Sequence, residues 1–250
     1  MSKEILLSVV VPCLNEADNV LNILRSLVGV MSETSHLVRY EILVVDDSSD
    51  DDTFDVARAF ESDCPPNIEL KVVRKMLERR GYGAVARYGL ANATGKYVTF
   101  VSADGVDPIE LIPAMLGLMH QGADLVQVSR NFQGADRSHI PIKYKINQFF
   151  YRLVLKTILN TKLHTDITYS FKMVNRVRVL ELGMASNRFA FGSEMYLKTM
   201  LSGQRIEIIE GNQLSRVFGI SKFRFLKEGF GYGYVLLRAF LHQRKVAYWF

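Results

Sequence analysis

Short apolar runs alternate with amphipathic stretches through the first half of the chain. Residues 5–11 are rich in β-branched side chains and end at Pro12, a pattern typical of a buried parallel strand. Four more runs of this kind predict strands at residues 40–45, 70–73, 97–101 and 125–128. Apolar residues at helical spacing predict the helices between them, at residues 54–60, 83–93 and 111–119 and around Val20, Ile23, Leu24 and Leu27. This alternation predicts an α/β fold with a mostly parallel central sheet flanked by helices.

Polar residues follow directly from three of the predicted strand ends. They stand at 12–16, at Asp46 and Asp47, and at Asp104. Because ligands of such sheets bind beyond the carboxyl ends of the strands, these three segments predict one shared crevice. The adjoining acidic run at 50–52 is better interpreted as a cap of the helix that follows.

The second half of the chain shows no comparable alternation and is predicted to be helical and irregular. Aromatic-rich stretches stand at 149–155 and 223–240, and Gly229, Gly231 and Gly233 argue against one continuous helix in the second of them. A membrane span needs about 20 apolar residues, and the best candidate, 230–241, is too short.

Charge divides the chain into two unlike halves. Residues 1–129 hold 11 Lys and Arg against 19 Asp and Glu, whereas residues 130–250 hold 20 against 7, giving net charges of −8 and +13. An acidic half suits a metal or a hydroxyl-rich ligand, and a basic half suits phosphates or an anionic membrane surface. Nucleic acid is not expected as a partner, because no nucleic-acid-binding motif accompanies the charge.

Two cysteines without metal-ligand spacing and a start without a secretory leader predict a cytosolic protein. Near the C-terminus, Arg216, Ser221 and Lys222 surround Gly219. A glycine lets the backbone approach an anion, and two cations can clamp phosphate oxygens, although basic residues beside a surface turn are often only solvated.

The motifs of the first half resemble the family 2 inverting glycosyltransferases of the A type (GT-A). They comprise residues 9–12 with Asn15 and Glu16, the turn at 44–49, residues 81–84 with 93–95, and Ala103-Asp104. The resemblance implies a GT-A nucleotide-diphospho-sugar transferase fold over residues 5–130. It implies a nucleotide-sugar donor held by Pro12, Asn15, Glu16, Asp46, Asp47, Gly83, Ala103 and Asp104.

Motifs of the second half resemble the polyprenyl-phosphate branch of that family, which includes dolichol-phosphate mannose synthases. They are Ser129-Arg130, residues 166–172, 191–194 and 216–222. The resemblance implies that a lipid phosphate oxygen attacks the anomeric carbon while a nucleoside diphosphate departs. By the same resemblance, Arg216 and Lys222 face the donor diphosphate, and the acceptor phosphate lies at Arg130, Lys143, Lys145 and Ser221.

The two acceptor classes make different demands on a base. A phosphate monoester is already an anion at neutral pH, whereas a sugar hydroxyl needs a general base, for which Asp166 and Glu194 are the candidates; both also fit structural ion pairs. Family members carry Asp-x-Asp where this chain has Ser102-Ala103-Asp104. Mg²⁺ or Mn²⁺ is therefore expected to bind weakly through Asp104, with a minor contribution from Ser102, or to be dispensable.

The predicted organisation is a GT-A domain over residues 1–226, with a nucleotide-sugar half at 1–129 and an acceptor half at 130–226. Residues 227–250 are predicted to be an aromatic and basic tail that lies on the cytosolic membrane surface or contacts a second copy or a membrane protein. Two further hypotheses stay open: a transferase that extends a glycan, and a catalytically weakened nucleotide-sugar-binding subunit. A nucleotidyltransferase is disfavoured, because its glycine- and lysine-bearing loop is absent after the first strand.

Overall fold

The computed structural model describes residues 4–34, 38–76, 80–130, 166–215 and 225–250, together with the single positions 142, 153 and 156. The strands of this part are β1 Ile5–Cys13, β2 Arg39–Asp46, β3 Ile68–Arg74, β4 Tyr97–Phe100, β5 Leu125–Ser129, β6 Lys172–Asn175 and β7 Ile206–Glu210. The helices are α1 Ala17–Thr34, α2 Thr53–Ala59, α3 Tyr82–Asn92, α4 Ile112–His120, α5 Arg176–Glu181, α6 Phe191–Leu201 and α7 Phe225–Gln243. Two 3₁₀ turns lie at Phe60–Asp63 and Ile109–Leu111.

The strands form one seven-stranded sheet in the order β3-β2-β1-β4-β6-β5-β7. β1 pairs in parallel with β2 and β4, β2 with β3, and β5 with β7, while β6 runs antiparallel between β4 and β5. The predicted mostly parallel sheet is therefore confirmed. The carboxyl ends of β1, β2 and β4 lie side by side at one edge, which is where the three polar segments follow.

Two strands in the second half, β6 and β7, complete the sheet, and the apolar pattern did not predict them. β6 is four residues long and begins with a lysine, and β7, at the sheet edge, contains two Glu among its five residues. Neither strand therefore shows the continuous apolar run of a strand that is buried on both faces.

Helices cover both faces of the sheet. One core cluster joins alternate strand residues such as Val9 and Val11 to α1, α2 and α4. The other joins Val10 and its counterparts to α3, α5, α6 and α7. Because successive side chains of a strand point to opposite faces, β1 contributes to both clusters, and this explains why its sequence is apolar apart from Ser8.

Helix α7 runs without a break through Gly229, Gly231 and Gly233, so the sequence argument against a continuous helix was wrong. Its inner face buries Tyr232, Val235, Leu236 and Ala239 at helical spacing in the second core cluster. Tertiary burial of this face outweighs the cost of about 1 kcal/mol for each glycine. Within the described ranges, no helix has the length and apolarity to cross a membrane.

Candidate active site

A cavity of about 260 Å³ opens at the carboxyl ends of β1, β2 and β4. One side, which we call the strand-end wall, consists of residues from the three predicted segments: Pro12, Glu16, Asp47, Ser102, Ala103 and Asp104. A second group of lining residues, which we call the loop wall, consists of Tyr82, Arg188, Phe189 and Glu228. The topology thus brings together the segments that were expected to share one crevice.

Asp47 is held in the strand-end wall by a buried ion pair. Its Oδ1 lies 2.6 Å from Lys75 Nζ, and its Oδ2 accepts a hydrogen bond from the Gly81 backbone N–H at 3.0 Å. Both charged side chains are almost fully buried, at 1% and 3% exposure. Each carboxylate oxygen can accept a second hydrogen bond, so Asp47 retains the capacity to bind a ligand hydroxyl or N–H.

Three residues predicted to bind the donor do not line the cavity. Asp46 is buried and accepts hydrogen bonds from Ser49 and from Arg74 Nε, the latter at 3.1 Å. Asn15 accepts the Asp50 backbone N–H at 2.9 Å and fixes the β2–α2 turn against the end of β1. Gly83 packs against the loop wall instead, where an added Cβ would lie 2.5 Å from the Ser186 carbonyl oxygen. The contacts of these three residues shape the site from outside it.

Asp51 does more than cap the helix that follows it. Its carboxylate accepts the Thr53 backbone N–H at 3.0 Å and also the Ala17 N–H at the start of α1 at 3.2 Å. Burial would raise the pKa of Asp51, but the hydrogen bonds from Thr53 and Ala17 outweigh it, and the pKa is lowered. The acidic run therefore joins the starts of two helices beside the strand-end wall.

The loop after β4 is fixed by Asp107, whose carboxylate turns back into the protein. Asp107 accepts the Ser102 backbone N–H at 2.7 Å and the Tyr169 hydroxyl at 2.7 Å. Burial, with the Asp104 charge adding to it, raises the pKa of Asp107 to about 6 despite these hydrogen bonds. Asp104, in contrast, lines the cavity and is 8% exposed.

The donor set for a metal at this loop consists of one carboxylate. Across the described ranges, no group of three or more His, Cys, Asp or Glu residues is placed to hold a metal ion. Asp104 faces the cavity, while Asp107 is occupied by Ser102 and Tyr169. Mg²⁺ and Mn²⁺ accept oxygen ligands from substrate phosphates and water, so these residues fit a metal ion held largely by its substrate.

Arg130 and Asp166 form an ion pair, and neither residue lines the cavity. Arg130 Nε and Nη2 lie 2.6 and 2.5 Å from Asp166 Oδ2, Nη1 donates to Gln213 at 2.6 Å, and the guanidinium lies 4.2 Å from the centre of the Tyr169 ring. Burial opposes ionisation of Asp166, but the Arg130 charge outweighs it and lowers the pKa of that carboxyl. A carboxylate with a lowered pKa is a weak general base.

Glu194, the other candidate base, is 1% exposed and does not line the cavity. Its two oxygens accept the backbone N–H groups of Ala185 and Ser186 at 3.0 and 2.7 Å, and Lys198 Nζ lies 3.1 Å away. These contacts favour the structural alternative, in which Glu194 fixes the turn before α6. The remaining predicted phosphate ligands, Lys143, Lys145, Arg216, Ser221 and Lys222, lie outside the described residues.

Apart from Tyr82, which stands in the motif at residues 81–84, the loop wall was not predicted from the sequence. Arg188 Nη1 lies 3.1 Å from Glu228 Oε1, and the Phe189 backbone N–H donates to Glu228 Oε2 at 3.3 Å. The Tyr82 and Phe189 rings stack with their centres 5.3 Å apart. Glu228 is an isolated acid within a helix, and Arg188 precedes an aromatic residue in a turn. Neither pattern marks a ligand-binding residue.

The fold and the cavity define a nucleotide-sugar transferase of the GT-A type. The chain belongs to glycosyl transferase family 2, whose family model matches residues 8–182. Among characterised relatives, the bactoprenol glucosyl transferase of Shigella phage SfX is 28% identical over 221 residues, which cover 87% of this chain and 67% of that protein. The dolichyl-phosphate beta-glucosyltransferase of Saccharomyces cerevisiae is 28% identical over 72% of this chain and 58% of its own length.

The dolichol-phosphate mannosyltransferase of Pyrococcus furiosus is 32% identical over 56% of this chain and 37% of its own length. The chain therefore spans about two thirds or less of the length of these relatives. Among solved structures, glucosyl-3-phosphoglycerate synthase from Mycobacterium tuberculosis in complex with UDP superposes with a TM-score of 0.65 at 20% identity, over 97% of this chain and 80% of that one. A further complex of that synthase contains Mn²⁺. This likeness confirms the fold.

Proposed function

We propose that this protein transfers one sugar from a nucleotide-sugar donor to a polyprenyl phosphate. The observation that carries the proposal is the cavity at the ends of β1, β2 and β4, in a chain of glycosyl transferase family 2 whose relatives act on bactoprenol or dolichyl phosphate. In this reaction, an acceptor phosphate oxygen bonds to the anomeric carbon with inversion. The bond from that carbon to the nucleoside diphosphate breaks, and the diphosphate leaves with the electron pair.

The donor fits the strand-end wall. Pro12 supplies an apolar surface for a base, and the carboxylates of Glu16 and Asp47 accept hydrogen bonds from ribose hydroxyls and base N–H groups. Asp104 lines the same cavity, and we expect the diphosphate and the sugar of the donor to lie beside it. Asp46, Asn15 and Gly83 support this wall indirectly through their contacts with the turns around it.

The surroundings of the two candidate bases support a phosphate acceptor. The Asp166 carboxylate forms an ion pair with Arg130. The Glu194 carboxylate accepts two backbone N–H groups and forms an ion pair with Lys198. An acceptor phosphate is already ionised and needs neither of them. Three of the five N–H donors of Arg130 are directed at Asp166 and Gln213, so an acceptor phosphate would have to bind Arg130 through the remaining two.

A divalent cation would be held by Asp104 and the donor diphosphate, and it would offset negative charge on the leaving group. Because the chain offers one carboxylate there, affinity for Mg²⁺ or Mn²⁺ is expected to be low. Transfer that persists in excess chelator supports charge neutralisation by protein cations such as Arg216 and Lys222. Complete loss of transfer with rescue by Mn²⁺ contradicts it.

The outer face of α7 suits an anionic membrane surface. Phe230, Tyr234 and Leu237 follow one another at helical spacing and are 85%, 59% and 54% exposed. Arg238 adjoins them, and the exposed Arg244 and Lys245 follow the helix. Aromatic and basic residues in this arrangement bind the membrane interface.

Vesicle sedimentation tests this membrane contact. We expect the protein to sediment with phosphatidylglycerol vesicles but not with phosphatidylcholine vesicles, and the F230S/L237S variant to lose sedimentation with phosphatidylglycerol. Equal binding of both kinds of vesicle contradicts this proposal.

One assay tests the proposed function. Purified protein is incubated with labelled UDP- and GDP-sugars and with undecaprenyl or dolichyl phosphate in detergent, and labelled lipid is measured. Asp104→Asn should lower transfer by about 100- to 1,000-fold, because Asp104 is the carboxylate that would hold a divalent cation at the departing diphosphate. Asp52→Asn, an exposed change outside the cavity, should have no effect. Transfer to a glycan but not to the lipid would instead establish glycan extension as the activity.

A further inference from the structure

Arg188 is the one cation that lines the cavity within the described part of the chain. The other charged residues of the lining, Glu16, Asp47, Asp104 and Glu228, are all acidic. A nucleoside diphosphate carries two or more negative charges and cannot enter a purely acidic site without cations. Within this part of the chain, Arg188 is therefore the lining group that can offset the charge of a phosphate-bearing ligand.

The Arg188 side chain is held at one end and remains 46% exposed. Glu228 accepts from Arg188 Nη1 and from the Phe189 backbone N–H, so one carboxylate fixes both the side chain and the turn that bears it. Glu228 itself is only 3% exposed. A guanidinium has five N–H donors in a fixed fork, and a single bond to Glu228 leaves others directed elsewhere.

The turn is also fixed from its other side by the start of α3. The Ala84 backbone N–H donates to the Asn187 carbonyl at 3.1 Å, and Cβ atoms added at Gly81 and Gly83 would come within 2.7 and 2.5 Å of the carbonyl oxygens of Asn187 and Ser186. Only glycine permits so close an approach. Arg188 therefore projects from a turn that is clamped between α3 and α7.

We infer that Arg188 is a phosphate-binding residue of the donor site and that Glu228 of α7 is its positioning residue. The inference rests on the proposed function, because it takes the cavity to be the donor site. It adds a ligand-binding cation on the loop wall, from a segment beyond the residues matched by the family model. It also gives α7 two roles, since the helix whose outer face suits a membrane carries the residue that orients Arg188.

The test is the binding of nucleosides and nucleoside diphosphates to the full-length protein with Mn²⁺ present, measured by calorimetry or ligand-observed NMR. UDP is compared with uridine, and GDP with guanosine. Arg188→Ala should weaken diphosphate binding 10- to 100-fold, which is the range for loss of a charged hydrogen bond, and leave nucleoside binding nearly unchanged. Arg188→Lys should recover part of the loss, and Glu228→Gln should cause a smaller loss in the same direction.

Arg178→Ala serves as the matched control, because Arg178 is exposed, pairs with Asp124 at 3.9 Å and does not line the cavity. Thermal melting checks that each variant is folded. If Arg188→Ala weakens nucleoside and diphosphate equally, or neither, the phosphate contact is refuted while the proposed function stands. If the wild type binds no nucleoside diphosphate at all, both the inference and the proposed function fail.

Discussion

The two walls of the cavity hold their charges in opposite ways. On the strand-end wall, Asp47 lines the cavity. The side chain of Lys75, which pairs with Asp47, is 1% exposed. On the loop wall, Arg188 is the exposed member and its carboxylate partner, Glu228, is buried. The strand-end wall therefore presents hydrogen-bond acceptors, whereas the loop wall presents a donor with a positive charge.

This difference matches the two ends of a nucleotide-sugar donor. A base and a ribose offer N–H and hydroxyl donors, which suit acceptors such as Glu16 and Asp47. A diphosphate offers only anionic acceptors, which suit a guanidinium. Lys75 holds Asp47 in one wall and Glu228 holds Arg188 in the other, so changes to Lys75 and Glu228 separate the two roles.

The largest effect on stability is expected from Lys75→Met. This change leaves the Asp47 carboxylate buried without its cation, and breaking a buried pair on one side costs about 3–5 kcal/mol of unfolding free energy. UDP binding should weaken as well, because Lys75 would no longer hold the Asp47 carboxylate in place. The double variant Lys75→Met/Asp47→Asn should recover part of the stability, since no unpaired charge remains. Urea unfolding followed by circular dichroism measures all three proteins.

The exposed Arg178–Asp124 pair is the control for this experiment. Arg178 is 58% exposed, and an ion pair at such a surface contributes at most about 1 kcal/mol. Arg178→Met should therefore change the unfolding midpoint only slightly. A Lys75→Met protein as stable as Arg178→Met would show that the buried pair does not hold the strand-end wall.

The strand-end wall was largely predictable because its residues stand next to strands. The runs before Pro12, Asp47 and Asp104 are apolar enough to be buried on both faces, and parallel strands bring their carboxyl ends to one edge. What the sequence could not distinguish was which polar residue of a turn faces inward. Asp46 and Asp47 are adjacent, yet only Asp47 lines the cavity, because Asp46 bonds to Ser49 and Arg74.

The loop wall depends on contacts between residues that are far apart in the chain. Gly83 packs against Ser186, which is 103 residues away in the chain, and Arg188 pairs with Glu228, which is 40 residues away. No local sequence pattern predicts contacts at such separations. The same holds for Arg130 and Asp166, whose pairing made Asp166 a weak candidate for a base. In α7, glycine content alone suggested a break, but the burial of Tyr232 and Val235 decides the outcome.

The next largest loss of unfolding free energy is expected from Gly83→Ala, which changes the contact between α3 and the turn of the loop wall. The new methyl group would lie 2.5 and 2.6 Å from the backbone oxygens of Ser186 and Arg188, so α3 and the turn must separate. We expect a loss of about 1–3 kcal/mol of unfolding free energy and weaker UDP binding. Gly117→Ala in α4 is the matched control, because nothing lies within 4 Å of its added Cβ. It should be neutral or stabilise by up to about 1 kcal/mol. Equal effects of the two changes would mean that the turn is not clamped.

The last effect appears only as a dependence on pH and concerns Lys172, which supports the loop that carries Ser170. Its Nζ donates to the carbonyls of Ile167 and Tyr169, just before Ser170 enters the cavity. Burial, with the Arg130 charge adding to it and Asp166 opposing, lowers the pKa of Lys172 to about 7. The unfolded chain then binds a proton that the folded protein lacks between pH 7 and about 10.5, so stability rises with pH in this window.

Lys172→Met removes this titration. The unfolding free energy of the wild type relative to Lys172→Met should therefore rise by about 2 kcal/mol between pH 7 and pH 9. Lys96→Met, at an exposed position, is the matched control for the loss of a lysine side chain. If the Lys172 difference stays flat between pH 7 and pH 9, Lys172 keeps its proton when buried, and the loop that carries Ser170 rests on a charged group. The loop that carries Ser170 would then resemble the strand-end wall, where the buried Lys75 ammonium holds Asp47, because a buried charged ammonium would hold this loop as well.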